Sequence, residues 1–198
     1  LDELPGSAMK IKMVFRLAPF PSGALHIGNA KTYILNALYA EKYGGKILFV
    51  IDDTIGSAEK QPIKEAYALL EDAFKWLGVK YEKPIIYKSD RLKIYYKYAE
   101  ELIDKNKAYV CHCSSEDMRD NRINGAECSC RQFPKGIQIL RWKEMFNMNE
   151  GDATLRIKTD MQNPNPAFRD RVLFKISDRE HPRVGTKYKV WPSLEMTW

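Results

Sequence analysis

Three groups of residues in this 198-residue chain have the types and spacing to do chemistry. The first is His26-Ile27-Gly28-Asn29. A histidine and an asparagine three residues apart can both donate hydrogen bonds to phosphate oxygens, and the glycine between them lets a ligand approach the backbone. The second is Asp52-Asp53-Thr54, behind an apolar run. Asp52 could hold an ammonium group, and Asp53 or Thr54 could fix the loop; the plainer alternative is capping of the following turn. The third is Cys111-His112-Cys113 with Cys128-Ser129-Cys130. Four thiolates can close a tetrahedral Zn²⁺ shell with no open position, which would make the metal structural. Two disulfides or four separate thiols are the alternatives.

The surrounding sequence predicts where these groups sit. Met13 to Ala18 reads as a strand. Pro19, Pro21, Ser22 and Gly23 break it. Ala30, Tyr33, Ile34, Ala37 and Leu38 then mark one face of a helix that runs to about Tyr43 and stops at Gly44-Gly45. His26 and Asn29 therefore fall at a helix N-terminus, whose free N–H groups and dipole favour an anion. Lys46 to Ile51 is continuously apolar, as suits a parallel strand covered on both faces. Strand, helix and strand make a Rossmann-like unit, and Asp52 lies just past the carboxyl end of its second strand, where ligands bind in such sheets. Pro62 opens a second helix, closed by Gly78; Val79 to Tyr87 is extended; Ser89-Asp90 caps a third helix. Tyr95, Tyr96 and Tyr98 on that helix could stack on bases, but their spacing favours a core stripe.

The segment between the cysteine pairs is polar and would bury too little to fold unaided, so a metal staple makes physical sense. Arg119, Arg122, Arg131, Lys135, Arg141 and Lys143 nearby form a basic edge suited to phosphates, or simply a solvated face. Ala153 to Asp160 alternates as a half-exposed strand, with Leu155 and Ile157 inward and Arg156 and Lys158 outward. Phe168-Arg169-Asp170 leads into another strand, and Arg169 with Asp170 could form a plain ion pair.

Composition bounds the class. Hydrophobic residues make up 44% and charged residues 29%, and the formal net charge is +6 with a pI near 9.0. That is the balance of a globular chain and is compatible with a polyanionic partner such as RNA. No apolar run reaches the roughly 20 residues that cross a bilayer, and the first residues carry no signal-peptide pattern.

The run Arg16-Leu-Ala-Pro-Phe-Pro-Ser-Gly-Ala-Leu-His-Ile-Gly-Asn29 resembles the ATP-binding signature of class I aminoacyl-tRNA synthetases, and its flanks resemble the archaeal-type glutamyl-tRNA synthetases. Asp52-Asp-Thr, Phe168-Arg-Asp and Trp191-Pro extend the likeness from about Lys12 to Trp198. The resemblance implies an α/β, Rossmann-like class I synthetase catalytic fold, in its first half, with an inserted α+β acceptor-binding subdomain carrying the zinc site. It implies a catalytic half over 1–88, the insertion over 89–185, and a return into the catalytic sheet over 186–198, with Gly185 to Trp198 as the returning strand. Ala18, Pro19, His26, Gly28 and Asn29 would bind ATP with Mg²⁺, His26 and Asn29 acting in catalysis. Arg16, Asp52, Leu194 and Trp198 would line the amino-acid pocket. Arg131 and Arg169 would meet the tRNA acceptor stem. The expected partners are ATP, L-glutamate and tRNA, in the cytoplasm and away from membranes.

Three positions depart from that pattern. Phe20 stands where relatives carry a polar residue, Val50 where they usually carry arginine, and Leu194 where a tyrosine is expected. The second, lysine-rich ATP signature and an anticodon-binding domain are missing, so residues 1–198 alone are expected not to adenylate an amino acid. The competing expectations are a paralogue that glutamylates a tRNA base, a non-catalytic RNA-binding module derived from a synthetase, and an unrelated nucleotidyltransferase with a similar histidine motif.

Overall fold

A computed structural model describes residues 2–4, 13–55 and 61–197. The chain divides into two compact units, Leu1–Asp90 and Arg91–Trp198.

In the first unit, strand β1 (Val14–Leu17), helix α1 (Ile27–Lys42), strand β2 (Lys46–Ile51), helix α2 (Lys64–Trp76) and strand β3 (Glu82–Tyr87) follow in turn. The sheet order is β1-β2-β3 and every pairing is parallel. The apolar run of β2 makes it the central strand, as its sequence predicts. Phe49 and Ile51 are fully buried there, and Phe49 meets Phe74 of α2 edge-on at 4.6 Å between ring centroids. The inner face of α1 is rotated from the predicted stripe. Ala30, Tyr33 and Ala40 are buried, whereas Ile34 and Leu38 are 37% and 44% exposed. Small alanines let α1 lie close to the sheet, and the larger side chains flank that contact.

The expected cap at Ser89-Asp90 is not formed. Residues Lys88–Arg91 make a 3-10 turn, and helix α3 (Leu92–Asp104) starts at Arg91 with no side-chain cap. Ser89 is committed elsewhere, to Asp53.

The second unit holds α3, strand β4 (Ala108–Cys111), helices α4 (Ser115–Asn124) and α5 (Lys135–Glu144), strands β5 (Thr154–Ile157), β6 (Val172–Ile176) and β7 (Val190–Pro192), and the short helix α6 (Leu194–Thr197). Its sheet is antiparallel in the order β4-β5-β6-β7. Trp142, Leu155, Phe174, Ile176 and Val190 lie in its core. Tyr96 joins that core and donates to the Val190 carbonyl at 2.7 Å, while Tyr98 is exposed.

Two expectations are corrected here. The strand near residue 190 does not return to the first sheet: Val190 pairs with Ile176 and Trp191 with Lys175, and Trp191 is fully buried. Arg156 does not face outward: it is 1% exposed. The pairing shifts between Leu155 and Arg156, so strict alternation fails at that point. No helix among the described residues is long and apolar enough to cross a membrane.

Candidate functional site

The carboxyl edge of the first sheet gathers the signature turn and the aspartate loop. After β1 the chain turns through Pro19 and Pro21, and His26 becomes the N-cap of α1. The His26 Nδ1 accepts the Gly28 N–H at 3.1 Å. That bond puts the ring proton of a neutral imidazole on Nε2, as an exposed donor. The first turn of α1 carries no acidic residue to oppose an anion. A cavity of about 200 Å³ opens here, with Pro19, Phe20, His26 and Asn29 on its walls. The Phe20 ring stands on this wall, where a polar side chain is expected.

Gly28 has a sharper role than backbone access. A Cβ at this position would lie 2.9 Å from His26 Cε1 and 3.1 Å from its Nδ1. Gly28→Ala should therefore turn the imidazole off its cap. We expect nucleotide affinity to fall about tenfold while stability changes by about 1 kcal/mol, the usual worth of an N-cap; ATP titration beside a thermal melt would check this, and unchanged affinity would refute it.

Asp52 follows β2, and its N–H donates to the Pro19 carbonyl at 2.9 Å, tying the two loops together. Its Oδ2 lies 2.9 Å from Lys88 Nζ, and Thr54 Oγ1 reaches its Oδ1 at 3.4 Å. Asp53 is fully buried and serves the wall rather than the cavity. It accepts from the Ser89 N–H at 2.9 Å, the Ser89 hydroxyl at 2.7 Å and the Tyr67 hydroxyl at 3.1 Å. Arg16, half-buried on β1, is close enough to help push the Lys88 pKa down, though burial is the larger cause. Lys88 is the residue that sequence reasoning missed. Its signal was available: a lysine directly after the apolar end of a strand, at the sheet edge where ligands bind.

Of the other predicted pocket residues, Ala18 and Pro19 sit on the turn beside His26, with Pro19 buried. Val50 is buried in β2. Leu194 opens α6 in the second unit and is half-exposed. Trp198 lies outside the described residues.

The four cysteines converge. Cys111 ends β4, Cys113 follows it, and Cys128 and Cys130 bracket the start of a 3-10 turn, Ser129–Gln132. Their sulfurs all lie within 4.8 Å of one another, and none is in a disulfide. The Cys111 and Cys128 sulfurs are 3.8 Å apart. Zinc–sulfur bonds of about 2.3 Å in a tetrahedron put sulfurs about 3.8 Å apart, so the set fits zinc. The hydrogen bond from Cys111 pulls the Cys128 thiol down to about 5 and pushes that of Cys111 up. His112 turns away to the Asp152 carbonyl at 3.2 Å. Buried Gln138 accepts from the Val110 N–H at 2.9 Å and donates to the Cys130 carbonyl at 2.7 Å, locking both cysteine segments to α5.

Arg156 reaches this cluster from β5. Its Nε donates to the Asp170 carbonyl at 3.0 Å, its Nη1 lies 3.7 Å from Cys111 Sγ, and its buried Nη2 has no partner among the described residues. The two predicted acceptor-stem residues are also held internally. Arg131 Nη1 meets both Asp170 oxygens, at 2.6 and 2.7 Å, and its Nη2 the Thr159 carbonyl at 3.0 Å. Arg169 donates to the carbonyls of Asn163, Arg122 and Ile123 at 2.7, 2.6 and 3.0 Å. Asp170 thus pairs with Arg131, not with its neighbour Arg169.

Residues 12–198 match the family model for tRNA synthetases class I (E and Q), catalytic domain. A glutamate–tRNA ligase of Methanothermobacter marburgensis is 45% identical over 189 residues, covering 96% of this chain and 34% of that protein. One from Pyrococcus horikoshii is 49% identical over 188 residues, covering 93% and 33%. The chain spans about a third of the length of these curated relatives. Among solved structures, a glutamate-tRNA synthetase from Elizabethkingia anophelis superposes with a TM-score of 0.60 at 18% identity, over 83% of this chain and 39% of that one. At that identity the likeness speaks for the fold.

Proposed function

The chain belongs to the catalytic-domain family of class I tRNA synthetases for E and Q, and on that premise we propose that it carries the ATP- and amino-acid-binding residues of an enzyme joining glutamate to tRNA. The observation that carries this reading is the tie between Asp52 and Pro19. It supports a reading in which the start of α1 and the charged residues Arg16 and Asp52 share one edge of one sheet.

In this reading ATP lies with its phosphates at the N-terminus of α1, contacted by His26 and Asn29 and by backbone near Ala18, Pro19 and Gly28. Arg16 takes a carboxylate of glutamate as a bidentate partner, and Asp52 faces its ammonium. The α-carboxylate oxygen attacks the α-phosphorus, a P–O bond to the leaving pyrophosphate breaks, and the adenylate forms. A tRNA hydroxyl then attacks the acyl carbon and releases AMP. The chain's own part is positioning and charge stabilisation, with His26 Nε2–H donating to phosphate oxygens as negative charge builds. Mg²⁺ bound with ATP would neutralise phosphate charge.

The second unit is the acceptor-binding insertion in this reading. Cys111, Cys113, Cys128 and Cys130 would hold a structural Zn²⁺ there. Arg131 and Arg169 serve the acceptor stem through the turns they fasten, and the basic residues around them meet phosphates.

ATP–pyrophosphate exchange by the full-length protein tests the reading, with each amino acid in turn and with or without total tRNA. Exchange driven by glutamate alone is the expected result. Exchange with a different amino acid, or none at all, would overturn it.

A further inference from the structure

Resting on that reading of Arg16 and Asp52, we infer that Lys88 is a specificity-determining residue: its ammonium cancels the charge of Asp52, so that the pocket favours an amino acid with an acidic side chain over its neutral amide. The carboxylate set to face the substrate's ammonium already holds an ammonium of the chain itself, at 2.9 Å. Lys88 is 1% exposed, so this contact is poorly screened by water.

Among the described residues, four charged groups make up this set. Arg16 and Lys88 are positive; Asp52 and Asp53 are negative. Arg16, Asp52 and Asp53 each act on Lys88. The four charges sum to zero. Asp53 cannot release its charge to the cavity, because it is buried and held by Ser89 and Tyr67. With Lys88 in place, Arg16 acts on a substrate without an opposing surplus. Without the Lys88 charge the set carries −1, and a second substrate carboxylate meets repulsion. Glutamate and glutamine share the same ammonium and α-carboxylate, so every effect on those groups cancels in a comparison of the two. What remains is the acidic side chain.

Lys88→Gln is the informative substitution. The amide can still donate to Asp52, so the hydrogen bond persists while the charge goes. In the full-length protein we expect the ratio of kcat/KM for glutamate to that for glutamine, read by ATP–pyrophosphate exchange, to fall about tenfold or more. One charge acting over several ångströms at an effective dielectric near 20 is ample for that change. Lys88→Arg keeps the charge and should hold the ratio within about threefold. Damage to the fold would lower both substrates together and leave the ratio alone. An unchanged ratio in Lys88→Gln, with glutamate exchange still measurable, would overturn this inference by itself. No glutamate exchange in the unaltered protein would overturn the synthetase reading and this inference with it.

Discussion

With Zn²⁺ proposed at the cysteine cluster, its loss by chelation or by Cys128→Ser with Cys130→Ser is expected to open residues 111–134 and to unfold much of the second unit's edge. Polar anchors reach that stretch, from Gln138 to the Cys130 carbonyl, Arg131 to Asp170 and Arg169 to the Arg122 carbonyl, but it buries little apolar surface. Helix α4 has capped ends, with Ser114 accepting the Asp117 N–H at 3.0 Å and Gly125 at φ 69°, but it buries no residue. Among the described residues, the apolar packing of the cysteines is a small cluster with Tyr109 and Met118. Apparent binding energies for structural zinc run about 10–16 kcal/mol, against about 5–15 kcal/mol for the stability of a whole domain. The first unit has a separate core around Phe49, Leu70 and Phe74 and should keep its fold. Zinc content by atomic emission, with limited proteolysis before and after chelation, measures this. One zinc per chain and cleavage confined to about 111–134 after chelation are expected. A zinc-free protein with the same protease resistance would refute both the metal and its role.

The second large effect is expected at Asp170. This carboxylate is 1% exposed and takes Arg131 Nη1 on both oxygens, the Tyr109 hydroxyl at 2.9 Å and the Thr159 N–H at 2.7 Å. Its own carbonyl receives Arg156. Asp170→Ala would take from the largely buried Arg131 guanidinium its buried counter-charge, leaving it the half-exposed Glu127 at 3.1 Å from Nε, beside the fully buried Arg156. Removing one member of such a pair costs about 3–5 kcal/mol. Asp170→Asn should cost less, since an amide keeps part of the hydrogen bonding and asparagine accepts the positive φ of 32° found here. Denaturant unfolding of the full-length variants, followed by the tryptophans of the second unit, gives the values. A loss under about 1 kcal/mol for Asp170→Ala would show that the pair contributes little.

Much of this arrangement is legible in the chain, and the exceptions share a cause. The apolar run 46–51 suits a covered parallel strand, and the proline-glycine break before His26 suits a turn. The cysteine spacing gave the cluster. Periodicity failed where polar side chains are buried by distant partners. Arg156 alternates correctly for an exposed site, yet Asp170 and the cysteine sulfurs supply what water would have supplied. Ser89 looks like a helix cap, yet the Asp53 carboxylate, 36 residues earlier, binds it more strongly than a helix end would. Lys88 went unread for the same reason. Its place at the end of β3 is legible, but its burial depends on Asp52, which follows a different strand. The strand at 190–192 has the apolar character of a core strand and nothing in its sequence names its neighbour; contact with β6 decides it.

The order of strands bears on how the chain is made. In both sheets each described strand lies beside the one synthesised just before it: β1-β2-β3, then β4-β5-β6-β7. No strand has to wedge between two already paired. As the polypeptide leaves the ribosome, every new strand finds its neighbour waiting, and the loop to be closed is only the intervening connection, whose entropy cost rises slowly with length. The first ninety residues can settle while the cysteine-bearing half is still being translated, since units tend to fold in the order they emerge. A strand returning from residue 190 to the first sheet would have obliged that sheet to wait, with an open edge, for more than half of the chain. Pairing β7 with β6 spares residues 190–192 that wait.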